Sequence, residues 1–443
     1  MAVTQEDIAR AGVVGAGGAG FPTHIKLSGK AETVVLNAAE CEPLLHKDKE
    51  LILRDAPMIV EGLERAMSCV GAKNAVVGVK AKYAKVIEAM NGALRSNMRV
   101  SPLPDVYPSG DEFILVYLTL GRVIAPGAIP LSVGAVVMNV ETARNVANVE
   151  ITPVVDKYVS IAGAVANPCT VCVPLGCSLA ECLKLAGGAT VSNPAYVVGG
   201  AMMGRLVPNL DVPVTKTTGG LIVLPEDHFI VQRKSWDWNK TMRVGRAACD
   251  QCSRCTELCP RYMLGHPIEP HRAMRSLGFN VNREADVMGT QFCSECNLCS
   301  YSSCPEGLDP RGVNHQNKTR LIAEKKRWTN PPFEPSRAEL LLPYRKTPTG
   351  RLMKRIGLDG FVNHGPLLEK LYQPNEVLIA LRQHIGAPCP PVVNKGDVVT
   401  RGQAIAVRPT IDGKVALGAD IHASITGTIV EISADYIKIA AVS

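Results

Sequence analysis

Cys249-Asp250-Gln251-Cys252-Ser253-Arg254-Cys255-Thr256-Glu257-Leu258-Cys259-Pro260 decides how this chain is read, together with its echo from Cys293 through Cys296 and Cys299 to Cys304-Pro305. Each stretch sets three cysteines at i, i+3 and i+6, then a fourth before a proline. Three thiolates so spaced wrap one iron-sulfur cubane. The fourth lies beyond reach of the same tight loop and ligates the other cluster where two are held. Cys249, Cys252, Cys255 and Cys304 are therefore assigned to one [4Fe-4S] centre, and Cys293, Cys296, Cys299 and Cys259 to the second. A pair of zinc sites is the competing reading, but zinc takes its four tetrahedral ligands as two separated pairs. The second run has four residues before its last cysteine where the first has three, which is expected to enlarge a loop.

Around these runs, 443 residues suggest about three domains of roughly 150 residues each. Apolar residues at 46% and charged residues at 20% are those of a folding chain. The net charge of +7 is modest and the basic residues are scattered apart from a cluster between Lys318 and Arg355, so nucleic acid is not an expected partner. The longest apolar candidate, Phe113 to Val140, is broken by Arg122, Pro126 and Pro130, short of the roughly 18 residues a membrane helix needs. The chain is expected not to span a membrane. Met1 to Ala11 lacks the apolar block of a secretory signal, and a cytosolic compartment is expected. There, fifteen cysteines argue for metal or redox chemistry over disulfides.

Residues 30 to 150 alternate strand-like and helix-like segments: Thr33 to Leu36, Ala56 to Val70, Ala75 to Val79 and Tyr83 to Leu94. That is the signature of an α/β domain. One helix is expected to start at Ala56, with Asp55 as its N-cap, Pro57 in its first turn and Gly71 past its end. Short β-branched segments follow at Val159 to Val165, Tyr196 to Val198 and Leu221 to Leu224. Short helices are expected around the cysteines, then a Pro-rich basic connector from Lys326 to Gly350. Turn signals at Asn394-Lys395-Gly396-Asp397 and Ile411-Asp412-Gly413-Lys414 predict a final β-rich segment. Cys169, Cys172, Cys177 and Cys182 span a strand, a turn and a helix start. They pack as small hydrophobes or form a third metal site, and packing is the favoured reading. Cys41, Cys69 and Cys389 receive no role, and the nine histidines have no metal-ligand spacing.

Gly15-Ala16-Gly17-Gly18-Ala19-Gly20 matches GxGxxG, with Glu40 twenty residues beyond. A dinucleotide fingerprint must follow a strand, whereas Glu6 to Ala11 reads as a charged helix. What remains is a run of small residues whose backbone N–H groups can cradle a phosphate, or a plain turn.

The stretch GAGGAGFPTHIK, Gly15 to Lys26, with Asn37-Ala38-Ala39-Glu40-Cys41-Glu42-Pro43, Tyr107-Pro108-Ser109-Gly110-Asp111-Glu112 and Asn139-Val140-Glu141-Thr142, resembles the FMN- and NADH-binding subunit of respiratory complex I. The resemblance assigns Gly17, Gly18, Gly20, Lys26, Asn37, Glu40, Gly110, Asp111, Glu112, Asn139 and Thr142 to FMN. It turns Phe21, Glu42 and Glu112 toward NADH. Ala39 and Cys41 depart from that family's acidic residue and glycine, which is expected to weaken NADH binding but spare FMN. Residues 159 to 224 resemble a β-grasp soluble-ligand-binding module, and residues 384 to 432 the barrel-sandwich module of the RnfC electron-transport proteins. That module looks like a lipoyl carrier, yet Lys414 is expected to be structural. In RnfC proteins the module comes first, whereas here it follows the clusters. This order, with GVVGAGGAGFPTHIKL, resembles the cobalamin reductase family of propanediol-utilisation microcompartments.

The resemblances imply a multidomain α/β and α+β chain. Its expected parts are a Rossmann-like FMN/NADH-binding domain (1–155), a β-grasp module (156–235) and a ferredoxin-like two-[4Fe-4S] helical domain (236–325). A connector (326–375) and a barrel-sandwich hybrid (376–443) complete it. They also imply an NADH-dependent enzyme passing electrons through FMN and both clusters to cobalamin cobalt, Co(III) to Co(II) to Co(I), for coenzyme B12 recycling in 1,2-propanediol degradation. No residue is assigned as catalytic, since the cofactors supply the chemistry. No Asp-x-His-x-x-Gly cobalt-ligand motif is present, so corrinoid contact is expected to be transient or through an adenosyltransferase. A microcompartment shell protein is a further expected partner. An Rnf-type electron-transfer protein and a non-enzymatic carrier or docking protein are the alternatives.

Overall fold

Strands β1 (Thr33–Ala38), β2 (Asn74–Lys80), β3 (Met98–Leu103) and β5 (Ala135–Asn139) form a parallel sheet in the order β3-β2-β1-β5. The computed structural model describes residues 3–279 and 283–442; Met1, Ala2, residues 280–282 and Ser443, which the expected domain ranges include, lie outside the described residues. Both faces of the sheet are covered, which is why its strands are nearly unbroken apolar runs. Val34 and Leu36 face α3 (Lys47–Val70), α4 (Ala84–Ala93) and α6 (Val140–Ala147), while Val35 faces α5 (Glu112–Leu120). Side chains of a strand alternate in this way between its two faces. Two short helices, α1 (Gln5–Arg10) and α2 (Thr23–Lys26), precede the sheet, and β4 (Val106–Tyr107) lies outside it.

The helix expected from Ala56 is present, with Asp55 out of helical geometry before it, but a further helical stretch precedes it in α3. Helix α3 begins at Lys47, nine residues earlier, and runs through Asp55, whose φ of −120° and ψ of 24° bend it there. The early turns hold because the Glu40 carboxylate accepts from the N–H groups of Asp48 (2.9 Å) and Lys49 (3.2 Å), filling the role of an N-terminal cap. Arg54 and Arg144 both bind the Asp55 carboxylate at the bend. Gly62 lets α3 cross α6 closely, since a Cβ there would lie 1.8 Å from the Ala143 carbonyl oxygen.

The next unit is a five-stranded sheet, β7-β6-β10-β8-β9, from β6 (Asp156–Gly163), β7 (Cys169–Pro174), β8 (Pro194–Val198), β9 (Arg205–Val207) and β10 (Gly220–Pro225). Only β6 and β10 pair in parallel, and α7 (Leu179–Leu185), with a Ser178–Glu181 capping box, packs on them. Short helices then carry the cysteine runs: α8 (Phe229–Lys234), α9 (Trp238–Ala248), α10 (Arg254–Glu257), α11 (Pro260–Met263), α12 (Pro270–Ser276), α13 (Glu284–Val287) and α14 (Pro310–Ala323).

The connector is more structured than its composition predicts. It contains α15 (Arg337–Leu341), α16 (Thr349–Arg355) and β11 (Thr347–Pro348), and β11 pairs antiparallel with β4 of the first domain. The last unit has a four-stranded sheet, β12-β19-β18-β13, and the pairs β14–β17 and β15–β16. Their strands are β12 (Glu376–Ala380), β13 (Val398–Val399), β14 (Ala404–Ala406), β15 (Thr410–Ile411), β16 (Lys414–Val415), β17 (Ile421–His422), β18 (Gly427–Ile432) and β19 (Tyr436–Ala441). The predicted turn at Asp412-Gly413 links β15 to β16, with φ of 51° and 74°, as a two-residue hairpin loop demands.

Candidate electron-transfer site

The two cysteine triplets share one backbone conformation. Gln251 and Ser253 in the first have φ of 62° and 65°, and Glu295 and Asn297, their counterparts in the second, 57° and 64°. Non-glycine residues hold such left-handed conformations only where the surroundings enforce them. The extra residue of the second run does not enlarge a loop, correcting that expectation. Cys299–Ser303 form a π-helical turn in which the Cys304 N–H donates to the Cys299 carbonyl at 3.1 Å. A single π turn is the usual way for a helix to absorb one added residue.

Cys259, Cys293, Cys296 and Cys299 line one pocket, with Pro260, Ile268 and Asn314. Among the described residues no three His, Cys, Asp or Glu groups are placed to hold a single metal ion. The thiols frame a volume, as a cubane requires. Burial and then the charges of Cys304, Cys249 and Cys252 push the Cys255 thiol up to about 12. Burial likewise raises Cys259 to about 12, with Cys293 adding to it. So many thiolates ionise together only around compensating positive charge, which a cluster supplies. The neighbours cross over between the runs, Cys255 feeling Cys304 and Cys296 feeling Cys259. Cys252 is exposed, Cys249 and Cys293 are half-buried, and the other five ligand candidates are buried.

The glycine loop lies at the carboxyl ends of β1 and β5. It closes on itself through Gly15 N–H to the Phe21 carbonyl (2.9 Å) and Gly20 N–H to the Gly15 carbonyl (3.2 Å). Thr142 anchors it, its hydroxyl accepting from the Ala16 N–H at 2.9 Å. Gly18, at φ 119°, has nothing within 4 Å of where a Cβ would project, leaving its backbone open to a ligand. Lys26 reaches Glu112 (2.7 Å) and the Val137 carbonyl (3.0 Å), and Asn37 donates to the Gly110 carbonyl (2.8 Å). Asn139 caps α6, its amide donating to Asp48 (2.8 Å) beside Gly17. The structure thus gathers the glycines, Phe21, Lys26, Asn37, Gly110, Asp111, Glu112, Asn139 and Thr142. The loop and Lys26 suit a phosphate, and the amides and carboxylates suit the polar atoms of a flavin.

Three predicted residues are engaged elsewhere, the first being Asp111, whose carboxylate caps α5 and pairs with Arg261. Glu40 caps α3, and Glu42 is half-buried with its carboxylate accepting from the Met202 (2.9 Å) and Met203 (3.0 Å) N–H groups of the neighbouring sheet unit. Sequence reasoning also missed a buried ionic network beneath the loop. Lys157 contacts Glu141 at 2.5 Å and the Ala16 carbonyl at 3.3 Å, while Lys47 contacts Glu141 (3.0 Å) and Asp48 (2.6 Å). Burial pulls Lys157 down to about 8; against its own burial, Glu141 is held below the ordinary carboxylate range by Lys157 and Lys47. Its members in the sequence are Lys47-Asp48-Lys49, to which no role was assigned, and Glu141 inside the Asn139-Val140-Glu141-Thr142 stretch.

The halves touch. The Tyr107 hydroxyl donates to the Cys296 carbonyl at 2.8 Å, and Arg261, two residues beyond Cys259, binds Asp111 at 2.8 Å. The Arg261 guanidinium also lies 3.5 Å over the Phe113 ring. Met202 joins both sides: its N–H meets Glu42 and its carbonyl accepts from Asn297 at 2.7 Å. Cys169, Cys177 and Cys182 pack in the core of the second unit, and Cys172 is half-buried.

Comparison with known proteins matches this arrangement unit by unit. The Nuo51 FMN-binding domain matches residues 8–148, the SLBB domain 158–206, a 4Fe-4S dicluster domain 248–309 and the RnfC barrel sandwich hybrid domain 363–441. The chain is 43% identical to the cobalamin reductase PduS of Salmonella typhimurium and 41% identical to that of Citrobacter freundii. Each alignment covers 98% of this chain and 96% of the relative. It is 35% identical to a component of the Na(+)-translocating ferredoxin:NAD(+) oxidoreductase complex of Acetobacterium woodii, over 58% of this chain and 57% of the relative.

Proposed function

Since this chain belongs to the cobalamin reductase PduS family, we propose that it takes electrons from NADH and passes them singly to the cobalt of cobalamin, Co(III) to Co(II) to Co(I). It is a flavin and iron-sulfur oxidoreductase, with an FMN-binding and a 4Fe-4S dicluster domain. When bound, FMN would supply conversion of an electron pair into single electrons and the clusters would supply one-electron transfer. The chain's own residues position these groups. Backbone N–H groups of Gly17 and Gly18 with Lys26 hold the phosphate, Gly20 shapes the turn that presents them, and Asn37, Gly110, Asp111, Glu112, Asn139 and Thr142 surround the flavin. Cys249, Cys252, Cys255 and Cys304 hold one cluster, and Cys293, Cys296, Cys299 and Cys259 the other. In finer terms the units read as Rossmann-like, β-grasp, ferredoxin-like and lipoyl-like folds.

The observation that carries this reading is the contact between the halves. Tyr107 and Asp111 of the flavin-side segment bind Cys296 and Arg261, which supports reading the Cys259/Cys293/Cys296/Cys299 set as the intake side. Anaerobic protein should contain FMN and about eight irons and eight sulfides, and should reduce a Co(III) corrinoid with NADH. No cobalt reduction above a flavin-only control would overturn the proposal. The setting we propose with it is a bacterial microcompartment, with a corrinoid adenosyltransferase as partner; cofractionation with shell proteins tests that setting.

A second reading, an electron carrier that does not oxidise NADH, is favoured by Glu42, whose carboxylate is already engaged by Met202 and Met203. NADH-dependent bleaching of the bound flavin separates the two.

A further inference from the structure

Among the eight ligand cysteines, Cys252 alone is exposed, and among the described residues it belongs to the set without a hydrogen bond to the flavin-side segment, the contacts at Cys296 and Arg261 lying with the other set. Exposed arginines surround it. Arg254 is two residues away, and Arg275 on α12 donates to Gln251, the residue before Cys252, at 3.1 Å. Arg246, near the end of α9, donates to the Leu277 carbonyl at the end of α12, and Arg243 lies one turn earlier. Helix α12 packs against both α9 and α10, and the Arg275–Gln251 and Arg246–Leu277 contacts bring these arginines to its two sides. Among the described residues none of these four arginines has a carboxylate ion-pair partner. The acidic groups on and flanking these elements are Asp250, whose carboxylate accepts from the Cys252 N–H at 3.2 Å, Glu257, Asp237, which caps α9, and Glu269, which pairs with Arg272; Lys240 on α9 adds a further cation. The rim keeps a positive excess.

We propose that this arginine-rimmed face is the electron outlet, and that it docks an acceptor protein presenting a carboxylate-rich surface. The inference rests on the electron-transfer reading above and adds where electrons leave and what receives them. One electron leaves the set held by Cys249, Cys252, Cys255 and Cys304, and one acceptor centre is reduced by one electron; no bond forms or breaks. Redox encounters bury little area, so their rates depend on electrostatic steering. Unpaired arginines around the exposed ligand supply it. Cobalamin carried on such a protein would meet the chain here.

The test uses full-length anaerobic protein, reduced with dithionite and desalted. It is mixed with flavodoxin, an acidic one-electron acceptor protein, and separately with hexaammineruthenium(III), a small cation. Flavodoxin reduction is expected to fall about tenfold or more on raising salt, and again in R246E/R254E/R275E at low salt. Reduction of the ruthenium complex should hold or rise in that variant. The second basic surface, beside Lys318, is the control: K325E/R327E should leave flavodoxin reduction within about twofold of wild type. Should the triple variant lose iron, R254Q/R275Q is expected to show the same loss at about threefold. Unchanged flavodoxin rates in iron-replete outlet variants, or an equal loss in the control, would overturn the outlet. Failure of the wild type to reduce cobalamin with NADH would sink the functional reading and leave the outlet result standing.

Discussion

The cysteine loops and the glycine cradle are opposite solutions to holding a cofactor. In the first, ligands lie three residues apart and the local backbone does the positioning, down to the matched left-handed residues 251, 253, 295 and 297. In the second, Ala16, Thr142 and Lys157 come from three separate stretches of chain, and buried charges hold them together. A site of the first kind is written in spacing. A site of the second kind is written in packing, which no short motif records.

The sharpest way to break this contrast is at the crossing cysteines. If the fourth thiolate of each run serves the other cluster, Cys259→Ser should remove the same EPR signal as Cys296→Ser and reduce iron to about four per chain. Loss of the Cys255→Ser signal instead would mean that each run holds its own cluster.

The cradle should fail through stability. Lys157→Met leaves Glu141 buried with only Lys47 beside it. Breaking such a pair costs about 3–5 kcal/mol. Denaturant unfolding of the flavin-free protein should show this loss, with weaker FMN retention and unchanged cluster EPR. A variant as stable as wild type would mean that the network is not what holds the loop.

Gly62→Ala tests the packing below it. The added Cβ meets the Ala143 carbonyl at the crossing of α3 and α6 and should cost about 1–3 kcal/mol, read as a lower Tm.

The smallest effect lies at the edge of the sheet. Although burial opposes it, Lys82 and Lys80 hold the Asp105 carboxyl down at about 2. A carboxylate depressed in the folded state stabilises above its unfolded pKa, and that contribution fades as pH falls from about 4 through about 2. Because the group is partly exposed, about 1 kcal/mol is expected. Asp105→Asn should flatten the stability–pH curve in that window and nowhere else.

The sequence was informative in proportion to locality. The apolar runs at Thr33 to Leu36 and Ala75 to Val79 are β1 and β2, and the Asp412-Gly413 turn is a hairpin. The early turns of α3 were missed because Lys47-Asp48-Lys49-Glu50 looks solvated, yet Lys47, Asp48 and Lys49 are buried against charges from distant segments. The extra residue before Cys304 was visible, but its outcome was not. Whether an inserted residue loosens a loop or winds a π turn depends on the carbonyl waiting at Cys299. Glu42 was legible as an acid in its motif but not as a tie to Met202, since its partners are backbone groups some 160 residues away.

The pairing of residues 347–348 with 106–107 imposes an order on biogenesis. Both cysteine runs leave the ribosome before the strand that fastens the later chain to the earlier. The nascent protein therefore passes through an interval in which the thiols have been made but the clasp has not, and metal delivery has its widest access then. A purified apoprotein whose clasp is already shut should accept iron and sulfide more slowly than the emerging chain does.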